Sequence, residues 1–455
     1  MTRLALHLND AGITLSNGER ITYREPGFAY LGDEELTTGN QAFAHSRIDP
    51  RRIQHRFWSE LETTPFSDRR FSHLSAADLA ARQLEQLWTA TGKDVDELIV
   101  AVPPYMSAEN LGLFLGISGE LRLPVAALVD AAVAATRREY KGAVPVHIDL
   151  SLHRATLTRL AQPGMAQTDR TEVLENAGVY ALYDIWLTTV AEAFVQQSRF
   201  DPLHTAHAEQ MLLNRLGAWL GDASRHDRVE MELEAGGTSY HAAVESLALI
   251  GAAAPVYQQI ASVLRSLFRA EDMPAIQVTD RLARLPGLTE MLKARVGGEI
   301  FVLEPGATAR GALARCRAQY DAAGGVSLLR QLPWDQAAID IGRHSVETTN
   351  AGVPTHLLYG HTAYAIGNLP LVLGSQDNGD DRFLALASDM PGVSRRHCSL
   401  ARKNGQCVLE DHSRYGTFLN GHRVDGSSVL QVGDSLRIGS PGFEFQLITT
   451  AAEDG

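Results

Sequence analysis

Cysteine is scarce in this chain. There are three in 455 residues, Cys316, Cys398 and Cys407. None shares a Cys-x-x-Cys spacing and the count is odd, which fits reduced thiols in a cytoplasm rather than a disulfide framework. No run of ~18 uncharged apolar residues is read, so no membrane insertion is expected. Asn9 and Asp10 interrupt the first apolar stretch, so no secretory signal is expected either. Positive charge is in deficit. Forty-one Lys and Arg face 54 Asp and Glu, a net charge of −13, which argues against general nucleic-acid binding. The patterns G-x-S-x-G, H-E-x-x-H and the P-loop are all missing, so no hydrolase site suggests itself.

What is present is long enough for two or three domains of ~100–200 residues. Apolar content of 45% and charged content of 21% describe a globular chain. The texture changes along it. Residues 1–322 alternate strand-like runs with Ala/Leu-rich helical periods at 75–92, 127–140 and 243–268, an α/β signature. Residues 323–354, with AAGGVS, QLPWDQ and ETTNAGVP, suggest a linker containing one short helical piece. Residues 355–449 hold short β-rich runs between Gly, Asn, Asp and Ser clusters, the pattern of an all-β sandwich. That segment carries eight basic and nine acidic residues, so its net of −1 leaves −12 for the rest. Residues 450–455 are a tail. No internal repeat and no low-complexity tract are visible.

The most specific motifs lie near the C-terminus: GVSRRHCSL at 392–400, EDHSRYGTFLNGHRV at 410–424 and LQVGDSLRIGS at 430–440. Their order, S-R-x-H, then S-x-x-G-T-x-x-N-G, then L-x-x-G-D-x-x-x-I-G, resembles the forkhead-associated (FHA) domain. The resemblance implies a two-sheet sandwich whose end loops bind a phosphothreonine-containing partner. Short hydroxyl and amide side chains with arginine suit charge-assisted hydrogen bonds to a phosphate. Carried over position by position, Ser394 matches the phosphate-binding serine and Arg395 follows it. Arg414 and Tyr415 fall in the peptide-contacting loop, and Asn420 matches an asparagine that holds a loop or the peptide backbone. Gly374, His397, Gly416 and Thr417 fall at structural positions. The family opens with a Gly-Arg pair; here Gly374 is followed by Ser375, and the upstream Gly342-Arg343 lies too early. Arg396 and Arg414 are the candidates to compensate. Without compensation the same loops form a phospho-independent contact surface.

The first part of the chain resembles the actin-like ATPase superfamily, and within it the DnaK-type heat-shock chaperones, through five ordered pieces: 37–53, 96–140, 146–154, 276–292 and 301–316. The implied fold is a duplicated, ribonuclease-H-like α/β domain. The phosphate chemistry of that family is missing. Where its first loop reads D-L-G-T-T, this chain has His7-Leu8-Asn9-Asp10-Ala11. Where its second reads D-L-G-G-G-T, only Asp149 and Leu150 remain, before Ser151. The glutamate that orients water and metal falls at Ala131, and the paired glycines of the adenosine site fall at Asp280 and Arg281. Carboxylates at 10 and 280 without glycine amides repel a triphosphate rather than cradle it.

The expectation is therefore a cytoplasmic, bacterial-style adaptor: a pseudo-ATPase platform, with no cofactor and no metal, joined to an FHA module. Its partners would be a phosphothreonine protein and another actin-like or assembly protein. The alternatives are an ATPase with a rearranged site and a phospho-independent component of a secretion or envelope machine. Three further features read as ordinary structure. EAGGTS (234–239) is a hairpin turn. RRIQHRFW (51–58) is a solvated helix face anchored by Phe57 and Trp58. His204 and His207 share a helical face but have no companion ligands. Cys398 and Cys407 are expected as core thiols in neighbouring strands.

Overall fold

VHIDLSLHR, at residues 146–154, is buried on both sides because its strand has neighbours and layers around it. Val144–Leu150 lies parallel to Pro274–Val278 and antiparallel to Arg154–Ala161, and Val146, Ile148 and Leu150 are fully buried. Two-sided burial is what makes such strands read as near-continuous apolar runs. The computed structural model describes residues 2–33, 35–91, 95–317, 326–341, 353–359, 362–377, 379, 382–386, 392–403, 405–420, 422–439 and 443–449. They fall into two units, 1–342 and 343–455.

The first unit is mixed α/β and contains two six-stranded sheets. One runs Leu328–Leu329, Val125–Asp130, Glu97–Val102, Arg3–His7, Ile13–Ser16, Ile21–Glu25. The other runs Glu299–Val302, Pro274–Val278, Val144–Leu150, Arg154–Ala161, Ala166–Glu175, Gln331–Leu332. Both follow one plan. A first strand is followed by two antiparallel strands on one side, and two later parallel strands are added on the other. The repeat invisible in the sequence is thus topological. Each half also carries an insertion. Residues 26–75 hold a three-stranded sheet of Leu36–Thr38, Ala29–Leu31 and Ile53–Gln54. Between the helices Val179–Ser198 and Ser246–Ser266 lie the helix Ala206–Ala223 and the hairpin Arg228–Ala235/Thr238–Glu245.

Several expectations change. The helical period at 127–140 begins inside the buried strand Val125–Asp130 and is helical only over the five residues Ala131–Ala135. An apolar run inside a parallel sheet has no period to distinguish it from a buried helix. The expected linker is, over 326–341, part of the first unit. Leu328–Leu329 and Gln331–Leu332 extend its two sheets, and Ile339–Asp340 pairs with Tyr140–Lys141; no helix occurs there among the described residues. Residues 51–58 form a 3-10 turn and a short strand rather than a helix, although Phe57 and Trp58 are buried as anchors. His204 precedes the N-cap Thr205 of the helix that contains His207, so the two do not share a helical face. The helix Ser246–Ser266 is long and apolar enough to cross a membrane, with a mean hydropathy of 1.5. Its buried face, with Leu249, Ala253, Tyr257, Ile260 and Leu264, packs in the core of the second half. The helix Ala76–Thr91 forms where the sequence places it, and so does the turn at Gly236 and Gly237, two glycines at positive φ.

The second unit is a β-sandwich. One sheet runs Thr362–Ala365, His356–Tyr359, Phe443–Ile448, Ser435–Ile438, Thr417–Leu419, His422–Arg423; the other runs Phe383–Ala385, Leu371–Gly374, Cys398–Lys403, Gln406–Asp411, Ser427–Leu430. Leu373, Cys398, Leu400, Cys407, Leu409, Leu436, Phe445 and Leu447 form its core. Burial raises the pKa of both thiols, that of Cys407 to about 11, so they are unreactive apolar fillers. Gly342 and Arg343, and the tail 450–455, lie outside the described residues.

Candidate functional site

The C-terminal candidate is built from three loops at one end of the sandwich, following the strands Leu371–Gly374 and Gln406–Asp411 and preceding Cys398–Lys403. Gly374 lets two of them touch. A Cβ there would lie 2.0 Å from the Arg395 carbonyl oxygen, so only glycine admits the approach. The amides of Ser375 and Gln376 donate to the carbonyls of Ser394 and Arg395, at 3.1 and 3.2 Å. His397 is fully buried behind them. Its Nδ1 accepts the Ser394 N–H at 3.1 Å, and its Nε2 lies 3.2 Å from the Gly416 carbonyl. One imidazole therefore ties the 392–396 loop to the 412–416 loop. Burial lowers its pKa, which keeps it neutral, with Nδ1 the acceptor and Nε2 the donor.

The third loop is held from inside by Asp411. Its Oδ1 accepts from the Thr417 hydroxyl at 2.7 Å and the Ser413 amide at 3.0 Å, and Gly416, at φ +90°, donates to the Ser413 hydroxyl. This bracing presents Ser394. Its hydroxyl accepts the Arg414 N–H at 3.2 Å, which leaves the hydroxyl proton for an outside acceptor. Arg395, Arg396, Arg414 and Tyr415 are exposed around it, Tyr415 by 59%. Asn420 has a different task. At φ +51°, it donates to Asp434 and accepts the Ser435 amide, both at 2.8 Å, so its side chain holds a turn. Ser375 is half-buried beside Ser394 and supplies no charge.

The first unit places the loops at 7–11 and 149–153 face to face. Asn9 links them: its amide nitrogen donates to Asp149 Oδ2 at 2.7 Å and to the Leu150 carbonyl at 3.1 Å. Arg281 enters from the far side, donating to Asn9 Oδ1 and the Leu150 carbonyl, each at 3.2 Å. Thr279 reaches Asp149 at 3.3 Å, and His7 lies 3.8 Å from the same carboxylate. Asp280 lines the same small space but bonds to arginines instead of the loops. It pairs with Arg284 at 2.8 Å and with Arg24 at 3.9 Å. Ser151 closes its own hairpin, its amide donating to the Arg154 carbonyl at 2.9 Å.

Two small cavities remain beside Asp149, of ≈ 30 and ≈ 20 Å³, about one water's worth of space each. Ligand sites run to ~300 Å³ and above, so side chains fill the place the resemblance assigns to a nucleotide. Electrostatics agree. Asp10 is buried and accepts the Leu152 N–H at 2.7 Å, while its other carboxylate oxygen has no hydrogen-bond partner among the described residues. Burial raises its pKa to about 6. Burial also lowers His7 to about 4 despite Asp149, so this imidazole stays neutral and offers a phosphate no charge. Ala131 is buried at the start of its short helix and offers no side-chain oxygen. Asp130 caps that helix at Ala132 N, 2.8 Å away, and Arg315 donates to the carbonyls of Val133, Ala134 and Thr136 at its end. Among the described residues no group of three or more His, Cys, Asp or Glu could hold a metal ion.

Asn9 and Arg281 as partners escaped the sequence reading. They are separated by 272 positions, and no local pattern relates them. Comparison with known families finds one match: residues 373–439 fit the FHA domain. No curated protein matches the chain.

Proposed function

We propose that this chain is a non-catalytic adaptor whose FHA domain captures a phosphothreonine-containing protein partner. The observation that carries the reading is the braced Ser394. Its hydroxyl is oriented by the Arg414 amide and sits among the exposed side chains of Arg395, Arg396 and Arg414. A phosphate seated there would accept from the hydroxyl and from guanidinium donors. The first unit would serve as a rigid pseudo-ATPase platform, in a cytoplasmic setting, for an actin-like or other assembly protein. Two features support an actin-like origin: the shared plan of its two sheets, and loops that converge on Asp149. The Arg281 side chain across those loops, and the residual cavities, support the absence of ATP turnover.

The test is calorimetric titration of the full-length chain with a degenerate phosphothreonine peptide pool against its unphosphorylated counterpart. The expected result is saturable binding of the phosphorylated pool alone, abolished in Ser394→Ala/Arg414→Ala. Each lost charge-assisted bond is worth ~1.5–3 kcal/mol. Equal binding of both pools would favour the second reading, a phospho-independent contact surface, for which Ser375 in place of an arginine is the specific observation. Magnesium-ATP should leave the melting temperature unchanged, because only a ligand of the folded state raises it.

A further inference from the structure

Beside the filled loops of the first unit is a cavity of ≈ 250 Å³ that the adaptor reading does not use. Its walls come from distant parts of the chain: Phe28 and Phe43 of the first insertion, Leu152 of the second hairpin, Tyr180 and Tyr183 of the helix Val179–Ser198, and Leu213 of the helix Ala206–Ala223. The rings are already arranged around one another. Phe28 and Phe43 meet edge to face at 5.1 Å between centroids, and Phe28 and Tyr180 lie 6.3 Å apart. The Arg47 guanidinium stands 5.4 Å over the Tyr180 ring and is neutralised by Asp184 and Glu209. Glu25, at the Asn40 side, accepts the Asn40 N–H at 3.2 Å.

At Gly12 the wall carries Arg24, with Arg281, Arg284 and the carboxylate of Asp280 close by. Arg284 holds that carboxylate at 2.8 Å and Arg24 only at 3.9 Å, while Arg281 bonds to neutral oxygens. A Cβ on Gly12 would lie 3.1 Å from Arg281 Nη2 and 3.7 Å from Arg24 Cγ, so the missing side chain lets both arginines pack against the backbone here. Burial lowers the Arg24 pKa and Asp280 opposes that, with the like charges of Arg281 and Arg284 adding to the lowering. An apolar cavity of ~150 Å³ takes a benzene ring; one of ≈ 250 Å³ has room for a bicycle.

We infer that this cavity is a binding site for a small aromatic carboxylate of bicyclic size. Its ring system lies among Phe28, Phe43, Tyr180, Tyr183 and Leu213, and its carboxylate faces Arg24 at the Gly12 end. The site takes over the mouth of the cleft between the two halves and leaves the filled loops intact. It is independent of anything the FHA loops bind.

The test uses 2-naphthoate and 2-naphthamide as probes, titrated calorimetrically into the full-length chain, its Arg24→Gln variant and its Leu213→Trp variant. Arg24 is partly exposed, so its replacement leaves the core undisturbed, whereas the indole of Leu213→Trp fills the cavity. The expected result is saturable naphthoate binding about tenfold tighter than that of the amide, the worth of one charge-assisted contact. Arg24→Gln should erase that preference, and Leu213→Trp should remove binding of both probes. If Leu213→Trp does not fold, the Arg24→Gln comparison still decides. Absence of naphthoate binding to the unmodified chain, an equal affinity for the amide, or displacement of naphthoate by magnesium-ATP would each overturn the inference.

Discussion

The two units treat the same problem, a cluster of polar loops at the edge of sheets, in opposite ways. In the first unit the loop side chains turn inward and satisfy one another. Asn9 holds Asp149, Arg281 holds Asn9 and Leu150, and the remaining space shrinks to single-water cavities. In the sandwich the inward bonds are made by residues behind the loops, His397, Asp411 and Thr417. Ser394 is then presented beside the exposed side chains of Arg395 and Arg414. A polar site stays available for a ligand when a second set of residues carries the internal hydrogen bonds. It closes when the ligand-facing residues must carry those bonds themselves.

The largest effect that would break this contrast is expected from Gly374→Ala. A methyl group 2.0 Å from the Arg395 carbonyl must push the two loops apart. The expected loss is above ~3 kcal/mol of stability, with abolition of phosphopeptide binding, read by urea denaturation and calorimetry. A stable variant with full binding would refute the role of that close approach.

Acid should act mainly on the first unit. His55 Nδ1 and His153 Nε2 lie 3.0 Å apart, and burial lowers both to about 4. In the unfolded chain both titrate near 6.5. Between pH 6.5 and 4 the unfolded state therefore binds more protons, and stability falls as pH falls through that window. Discounted about twofold for solvent screening, the expected loss is on the order of 3 kcal/mol for the pair, and the double variant His55→Gln/His153→Gln should make the profile shallower, with buried His7 supplying the slope that remains.

Asp10 runs the other way. Its folded pKa of about 6 lies above the usual carboxylate value of 3.8. The folded state binds the extra proton, so this residue costs stability above pH 6 and ceases to do so as pH falls toward 4. Asp10→Asn keeps an acceptor for the Leu152 amide and should stabilise the chain by on the order of 2 kcal/mol at pH 7. The gain should vanish near pH 4 in the same denaturation series. The smallest predicted change sharpens the comparison from the sandwich side. Ser375→Arg, beside Ser394, should tighten phosphothreonine-peptide binding by about tenfold, one added charge-assisted contact, without altering the melting temperature.

The FHA loops were legible in the sequence because each depends on residues a few positions apart. Ser394 and His397 are three residues apart, as are Ser413 and Gly416. The role of Asn420 was legible only as a choice between loop and peptide, and Asp434 and Ser435 decided it for the loop. In the first unit the absence of glycine from the loops at 7–11 and 149–153 could be read position by position. What fills the space between those loops could not. Leu328–Leu329 and Gln331–Leu332 are two-residue strands, too short for any periodicity, and their pairing partners lie far back in the chain.

By itself the sequence determined local matters: the strand-and-turn chemistry of residues 371–439, the hairpin at Gly236-Gly237, the helices at 76–91 and 246–266, and the absence of glycine amides from the first unit's loops. These depend on propensity, backbone permissiveness and near neighbours, all encoded within a few residues. Only the tertiary structure decided that Arg281 occupies the space between Asn9 and Leu150. It alone placed residues 326–341 at the sheet edges and brought Phe28, Tyr180 and Leu213 around one cavity. Those outcomes follow from which distant side chains fill a volume together, and packing is set by the whole chain at once.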